Sequence, residues 1–185
     1  MTWSKPGSAD GEICILAGGL STRMGRDKAR LRLGRKTLLG QVKFSARQVG
    51  FPVRVIRRDL VPGRGPIGGV YTALKKTRAK IVVLLSCDMP FVSPELIQWL
   101  ILKLRENAKA LFTTQSGRVG FPFVIRTEAL AEVQMSLRKR NPSLQRLAVA
   151  LRAKKVRIPL NRNRELMNIN TAEDWQRAKQ VWHQR

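Results

Sequence analysis

The sequence predicts an α/β fold, a mostly parallel sheet with helices on both faces. Three observations carry that expectation. Short apolar, β-rich runs alternate with stretches of helical periodicity along the chain. One of those runs, Val82-Val83-Leu84-Leu85, is apolar at every position, the pattern of a central parallel strand covered on both faces. Glycine-rich or aspartate-bearing segments follow the first three apolar runs, where open α/β sheets place their ligands.

Taken in order, residues 1–11 read as a mobile tail and residues 12–185 as one domain, long enough to bury a core. Strands are expected at Glu12–Leu16, Val53–Ile56, Lys80–Ser86, Ala110–Thr113 and Phe121–Ile125. Helices are expected at Thr37–Val49, Gly68–Thr77, Ser93–Asn107, Glu128–Arg138, Ser143–Ala153 and from Thr171 to Trp182. Ser93-Pro94 is an N-cap followed by proline at the first helical position, and Thr171-Ala172-Glu173-Asp174 is a capping-box start. Trp175, Ala178 and Trp182 share one face of the last helix.

Composition narrows the chemistry. No apolar run is long enough to span a membrane, and the N-terminus lacks the apolar core of a signal peptide, so a cytoplasmic protein is expected. Cys14 and Cys87 belong to no metal-ligand spacing and read as buried free thiols. The single histidine, His183, is close to the C-terminus, which argues against histidine-based triads and zinc sites. Lys, Arg, Asp, Asn or an oxygen-held metal must then carry the chemistry.

The formal net charge of +24 favours anionic ligands. The cations are spread over several clusters with little aromatic interleaving, so most read as solvated faces and a specific nucleic-acid role is not expected. The clusters at residues 138–140 and 154–157 would serve capture of an anionic acceptor or docking of partner proteins; the sequence leaves the two open.

Four segments point to nucleotide chemistry. LAGGLSTRMGRDKA, from Leu16 to Ala29, follows the first strand and joins glycines that admit a close ligand to fixed positive charge at Arg23 and Lys28. It is neither a Walker A loop, since Lys28 is followed by Ala29, nor a dinucleotide fingerprint. The Gly/Pro-rich run from Asp59 to Gly69 delivers a helix N-terminus, suited to a base, ribose or phosphate. Asp88, in Ser86-Cys87-Asp88-Met89-Pro90, ends the most apolar strand; a carboxylate there is costly unless paired or bound to a metal, and Mg²⁺ is the expected ion. Asn168-Ile169-Asn170-Thr171 precedes the last helix and offers amides to a metal or phosphate as well as a cap.

In this order, LAGGLSTRMGRDKA, DLVPGRGPIGGVYTAL, SCDMPF and NINTAEDW resemble the molybdenum cofactor guanylyltransferases of the MobA type, over nearly the whole chain from about residue 12. The resemblance implies a Rossmann-like fold of the nucleotide-diphospho-sugar-transferase type. It implies transfer of GMP from GTP to the terminal phosphate of molybdopterin or Mo-molybdopterin, with release of pyrophosphate and with Mg²⁺ as cofactor. Other molybdenum cofactor biosynthesis proteins, apo-molybdoenzymes or their chaperones would be partners. Carried over, Leu16, Ala17, Gly18 and Gly19 line the nucleotide pocket. Lys28 binds the triphosphate, while Arg23 and Gly25 shape the loop. Asp59 lies near guanine and ribose, over a floor of Gly65, Pro66 and Gly68. Asp88 holds the metal, and Pro122, Asn168 and Asn170 face the acceptor.

The chain departs from the family pattern at two places. The segment from Leu39 to Asp59 is short where relatives fit an extra strand and helix, and it lacks the asparagine they place near guanine. Phe121 stands where some relatives carry a polar residue before the proline. A nucleotidyltransferase that uses CTP or another phosphorylated acceptor therefore stays open, as does a catalytically silent, polyanion-binding relative.

Overall fold

The computed structural model describes residues 10–18, 31–104 and 106–184. In chain order the elements are β1 (Gly11–Leu16), β2 (Arg32–Leu33), β3 (Lys36–Thr37), α1 (Leu38–Arg47), β4 (Val53–Ile56), α2 (Gly65–Lys75), β5 (Ile81–Ser86), α3 (Pro94–Lys103), β6 (Ala110–Gln115), β7 (Arg118–Arg126), α4 (Leu130–Leu137), α5 (Leu144–Ala150), β8 (Lys154–Arg157) and α6 (Ala172–His183). The main sheet runs β4-β1-β5-β7-β6-β8, and β2 and β3 form a separate hairpin.

Strand β1 is parallel to both neighbours, with Cys14 opposite Arg54 of β4 and Leu84 of β5. The expected strand β5 is central and buried, but it is parallel only to β1. Its other partner, β7, is antiparallel, with Leu84 opposite Phe123. The reason is local: β6 turns back into β7 through Ser116-Gly117, both at positive φ, so β7 enters the sheet reversed. The sheet is thus mixed though mostly parallel.

Alternation along β5 divides the core. Val82 and Leu84 pack towards α2, α4 and α5, while Val83 and Leu85 pack towards α1 and α3. Helices cover both faces, as expected. A third cluster seats α6: Ala178 packs on Leu33, Leu38, Phe91 and Ile169, with Trp175 and Trp182 against them. Thr171 caps the Asp174 amide and Asp174 caps back, closing the box read from the sequence.

Several boundaries differ from expectation. Strand β1 already includes Gly11, which the sequence placed in the tail. Helix α3 stops at Lys103 because Leu104 turns extended, well short of Asn107. The expected helix from Glu128 is a 3-10 turn over Thr127–Ala129 before α4, and α5 stops at Ala150. Lys154–Arg157, to which the sequence assigned no element, is an edge strand. Cys14 is fully buried, and desolvation pushes its thiol up to about 12; Cys87 is only half-buried. No helix among the described residues is long and apolar enough to cross a membrane.

Candidate functional site

The candidate site is sought at the carboxyl ends of β1, β4 and β5, where backbone hydrogen bonds carry the ladder past the strand ends. The Ala17 amide donates to the Ile56 carbonyl at 2.8 Å, and the Cys87 amide donates to the Leu16 carbonyl at 3.1 Å. These two bonds hold the loops that begin at Ala17, Arg57 and Cys87 side by side. Gly18 presses on the neighbouring loop: a Cβ there would lie 2.9 Å from the Arg57 carbonyl oxygen. Leu16 ends β1, and Ala17 and Gly18 follow it at the carboxyl end of the sheet. Gly19, Arg23, Gly25 and Lys28 fall outside the described residues.

The loop after β4 folds back onto the start of α2, where Gly65 and Pro66 form the first turn. Gly68 is required here by close approach. A Cβ on it would come within 2.8 Å of both Asp59 Oδ2 and the Val61 carbonyl oxygen. Asp59 is half-buried at this helix start, and desolvation pushes its carboxyl above the usual aspartate value. Thr72 ties the arrangement together, a role that sequence reading missed. Its hydroxyl accepts from the Leu60 amide at 2.9 Å and donates to the Gly68 carbonyl at 2.8 Å. A threonine inside an apolar helix face carries no signal that its oxygen serves a loop above it.

Asp88 sits in the turn after β5, half-buried, with Oδ1 fully covered. Its carbonyl accepts the Ile169 amide at 3.0 Å, which brings the Asn168-Ile169-Asn170 segment to Asp88 across eighty residues of chain. Ile169 is buried in the α6 cluster, while Asn168 and Asn170 are exposed on either side of it. The segment is held from below as well. Burial works to raise the Asp174 carboxyl, but the Asn170 and Thr171 amides donate to Oδ2 at 2.9 and 3.0 Å and leave it lowered. The 3-10 helix Leu160–Leu166 leads into this segment, and Glu165 anchors it by accepting the Ser93 amide at 3.1 Å.

Pro122 is buried in β7, one residue beyond the Leu84–Phe123 pair, and so near the same end of the sheet. The Phe121–Pro122 bond is cis. Phe121, the position noted as a departure, packs its ring 5.3 Å from that of Phe123 and so serves the core. The short segment before Asp59 contains α1 alone, which runs through residues 48–52 directly into β4.

Among the described residues no three of His, Cys, Asp and Glu gather into a site that could hold a metal unaided. Asp88 as a lone carboxylate nevertheless fits a Mg²⁺-type ion, which commonly takes one or two carboxylates and completes its shell with substrate phosphates and water.

The comparisons with known proteins agree with this geometry. The model of the MobA-like NTP transferase domain matches residues 13–156. A probable molybdenum cofactor guanylyltransferase of Opitutus terrae is 33% identical, covering 89% of this chain and 93% of that protein. Among solved structures, the molybdopterin-guanine dinucleotide biosynthesis protein A of Archaeoglobus fulgidus aligns with a TM-score of 0.73 at 21% identity, over 94% of this chain and all of that one. A Mycobacterium tuberculosis protein of the same fold, crystallised with manganese, aligns at 0.60 and 18% identity, over 93% of this chain and 98% of its own. The chain belongs to the MobA-like NTP transferase family, the family of the molybdenum cofactor guanylyltransferases, and is a nucleotidyltransferase.

Proposed function

We propose that this protein transfers GMP from GTP to the terminal phosphate of molybdopterin or its molybdenum form. The observation that carries the reading is the convergence at one sheet end. Three backbone bonds (Ala17 to Ile56, Cys87 to Leu16 and Ile169 to Asp88) bring the described parts of the four motif segments to one end of the sheet. The names of the relatives supply the substrates.

The acceptor is already a phosphate anion, so attack needs placement and charge neutralisation more than a strong base. An acceptor oxygen forms a bond to the α-phosphorus of GTP as the bridging bond to the β-phosphate breaks, and pyrophosphate carries the electron pair away. Asp88, with the triphosphate oxygens, would hold a divalent ion that neutralises charge on the α-phosphate and leaving group. Lys28 and Arg23 would contribute fixed positive charge along the same triphosphate. Asp59, beside Gly68 at the start of α2, would meet guanine or ribose. Asn168 and Asn170 would present amides to the acceptor, opposite Pro122. The reaction would run in the cytoplasm.

The test is a transfer assay with GTP and molybdopterin, run on wild type, Asp88→Ala and Lys28→Ala. Each variant is expected to lose ~10²–10³ in rate, the size typical of a directly placed charged contact. Melting temperatures close to wild type would exclude unfolding as the cause. Near-normal transfer by either variant contradicts the role given to that residue.

A further inference from the structure

We infer that helix α6 is a clamp on the nucleotide site, with Trp182 as a positioning residue that sets the exit of the glycine loop against the turn carrying Asp88. The inference deepens the transferase reading and rests on its placing of GTP and a divalent ion there. The turn from Asp88 to Ser93 is held by one later segment of the chain. At its start the Ile169 amide donates to the Asp88 carbonyl at 3.0 Å. At its end Glu165 accepts the Ser93 amide at 3.1 Å and the Ser93 hydroxyl as well. Between them Phe91 is fully buried, and its ring meets that of Trp182 at 6.5 Å between centroids and 46° between planes. That is a favourable tilted aromatic pair.

The same indole reaches the β2–β3 hairpin. Gly34 turns that hairpin at a φ of 63°, and a Cβ on it would lie 2.8 Å from both Cζ2 and Nε1 of Trp182. These atoms belong to a rigid ring, so glycine is required by the indole as well as by the turn. The hairpin is where the chain leaves the glycine loop. Leu31, the first described residue after that loop, packs on the α6 cluster, and its carbonyl accepts the Leu38 amide at 2.8 Å. Lys28 stands three residues ahead of Leu31 in the sequence. Among the described residues, no side chain of α6 belongs to the two clusters on the sheet faces. The helix packs instead on the hairpin and on the Asp88 turn. Its apolar face therefore holds together the two segments assigned to triphosphate and metal. In-line transfer is sensitive to such placement, since a shift of about 1 Å can cost ~10² in rate.

The experiment compares the full chain with Trp182→Ala, Trp182→Phe and Val181→Ala, by GTP titration with Mg²⁺ and by transfer kinetics. All are measured well below the melting midpoint that circular dichroism gives for each. Trp182→Ala should bind GTP with Mg²⁺ about tenfold more weakly and lose about 10–100-fold in kcat, with KM for molybdopterin within about twofold of wild type. Trp182→Phe keeps a ring against Phe91 and should return both values to within about threefold. Val181 is half-buried against the same cluster. Its truncation should lower the melting temperature and leave GTP binding within about twofold. Unchanged GTP binding and kcat in a folded Trp182→Ala would overturn the inference, and so would equal weakening in Val181→Ala. If wild type binds no GTP with Mg²⁺, the transferase reading fails, and hydrogen exchange without nucleotide then decides the clamp. Trp182→Ala should raise deuterium uptake at residues 31–38 and 88–93 together; a rise at one segment only, or at neither, would overturn it.

Discussion

The two ends of the parallel strands each carry a half-buried carboxylate, and the protein treats them in opposite ways. At the amino end, Glu12 receives a bidentate guanidinium: Arg54 Nε donates to Oε1 at 2.6 Å and a terminal nitrogen donates to Oε2 at 2.8 Å. The same terminal nitrogen also donates to the Ala73 carbonyl at 2.9 Å. Burial works to raise the Glu12 carboxyl, but the bonds from Arg54 and Thr77 outweigh it and leave the value lowered. At the carboxyl end, Asp59 is pushed upward by burial, and no described residue offers its side chain an ion pair or a hydrogen bond. The amino end is built for stability. The carboxyl end keeps a carboxylate under strain where a ligand is expected, a pattern that marks functional sites more often than structural ones.

Four substitutions sharpen or break that contrast. The largest effect belongs to Asp88→Ala, whose ~10²–10³ loss of transfer rate should come with little change in melting temperature. Next is Arg54→Met, which strands Glu12 among partly buried groups. With side-chain exposures of 27% and 14%, the pair stands between surface and buried ion pairs, so a loss of about 2–3 kcal/mol is expected in urea unfolding at neutral pH. The pH dependence has a defined sign. Because the folded value of Glu12 lies below its ordinary 4.5, its contribution is present above about pH 4.5 and fades as pH falls through the folded value. In Arg54→Met that acid-side loss should shrink, and an unchanged acid limb would break the comparison at its amino end.

Gly68→Ala comes third. Its Cβ would meet Asp59 Oδ2 and a backbone oxygen, both at 2.8 Å, and the backbone cannot step aside as a side-chain tip would. A loss of about 1–2 kcal/mol is expected, together with weaker nucleotide binding. The smallest effect is predicted for Asp59→Asn. A carboxyl raised in the folded state stabilises below its unfolded value and loses that contribution as pH rises through the folded one. Replacing it should raise stability at neutral pH by up to about 0.5 kcal/mol while weakening GTP binding. Lower stability in Asp59→Asn would mean that the carboxylate has a structural partner and the contrast is wrong.

Much of this was legible in the residues, for physical reasons that differ by element. Strands β1 and β5 announce themselves because burial on both faces demands near-continuous apolar runs, while the edge strand β4 was readable from the β-rich run Val53–Ile56 despite Arg54. The caps at Ser93 and Thr171 were readable because an N-terminal helix amide needs a local oxygen. Strand β8 was hidden: Lys154-Lys155-Val156-Arg157 has no apolar face, and only its ladder to β6 makes it a strand. Its charges also suit an edge that must not pair with another chain. The direction of β7 was hidden too, since hydrophobic periodicity carries no polarity, although Ser116-Gly117 offered a turn signal. For the site, the glycine loop after β1 and the Gly/Pro-rich loop before α2 follow from strand ends and glycine content. The assignment of Leu16 and Ala17 came through the resemblance, and the Asp59–Gly68 contact was not readable. Nor was the meeting of Ile169 with Asp88; a contact between such distant segments was accessible only through resemblance to a family.

The central claim is that the carboxyl end of the sheet is a guanine-nucleotide site organised around Asp88. Calorimetric titration of wild type and Asp88→Ala with GTP, CTP and ATP, each with Mg²⁺ and with chelator, tests it most directly. The account predicts binding of GTP alone, dependent on Mg²⁺ and weakened in the variant. Preference for CTP, or GTP binding that ignores both the metal and Asp88, would contradict it.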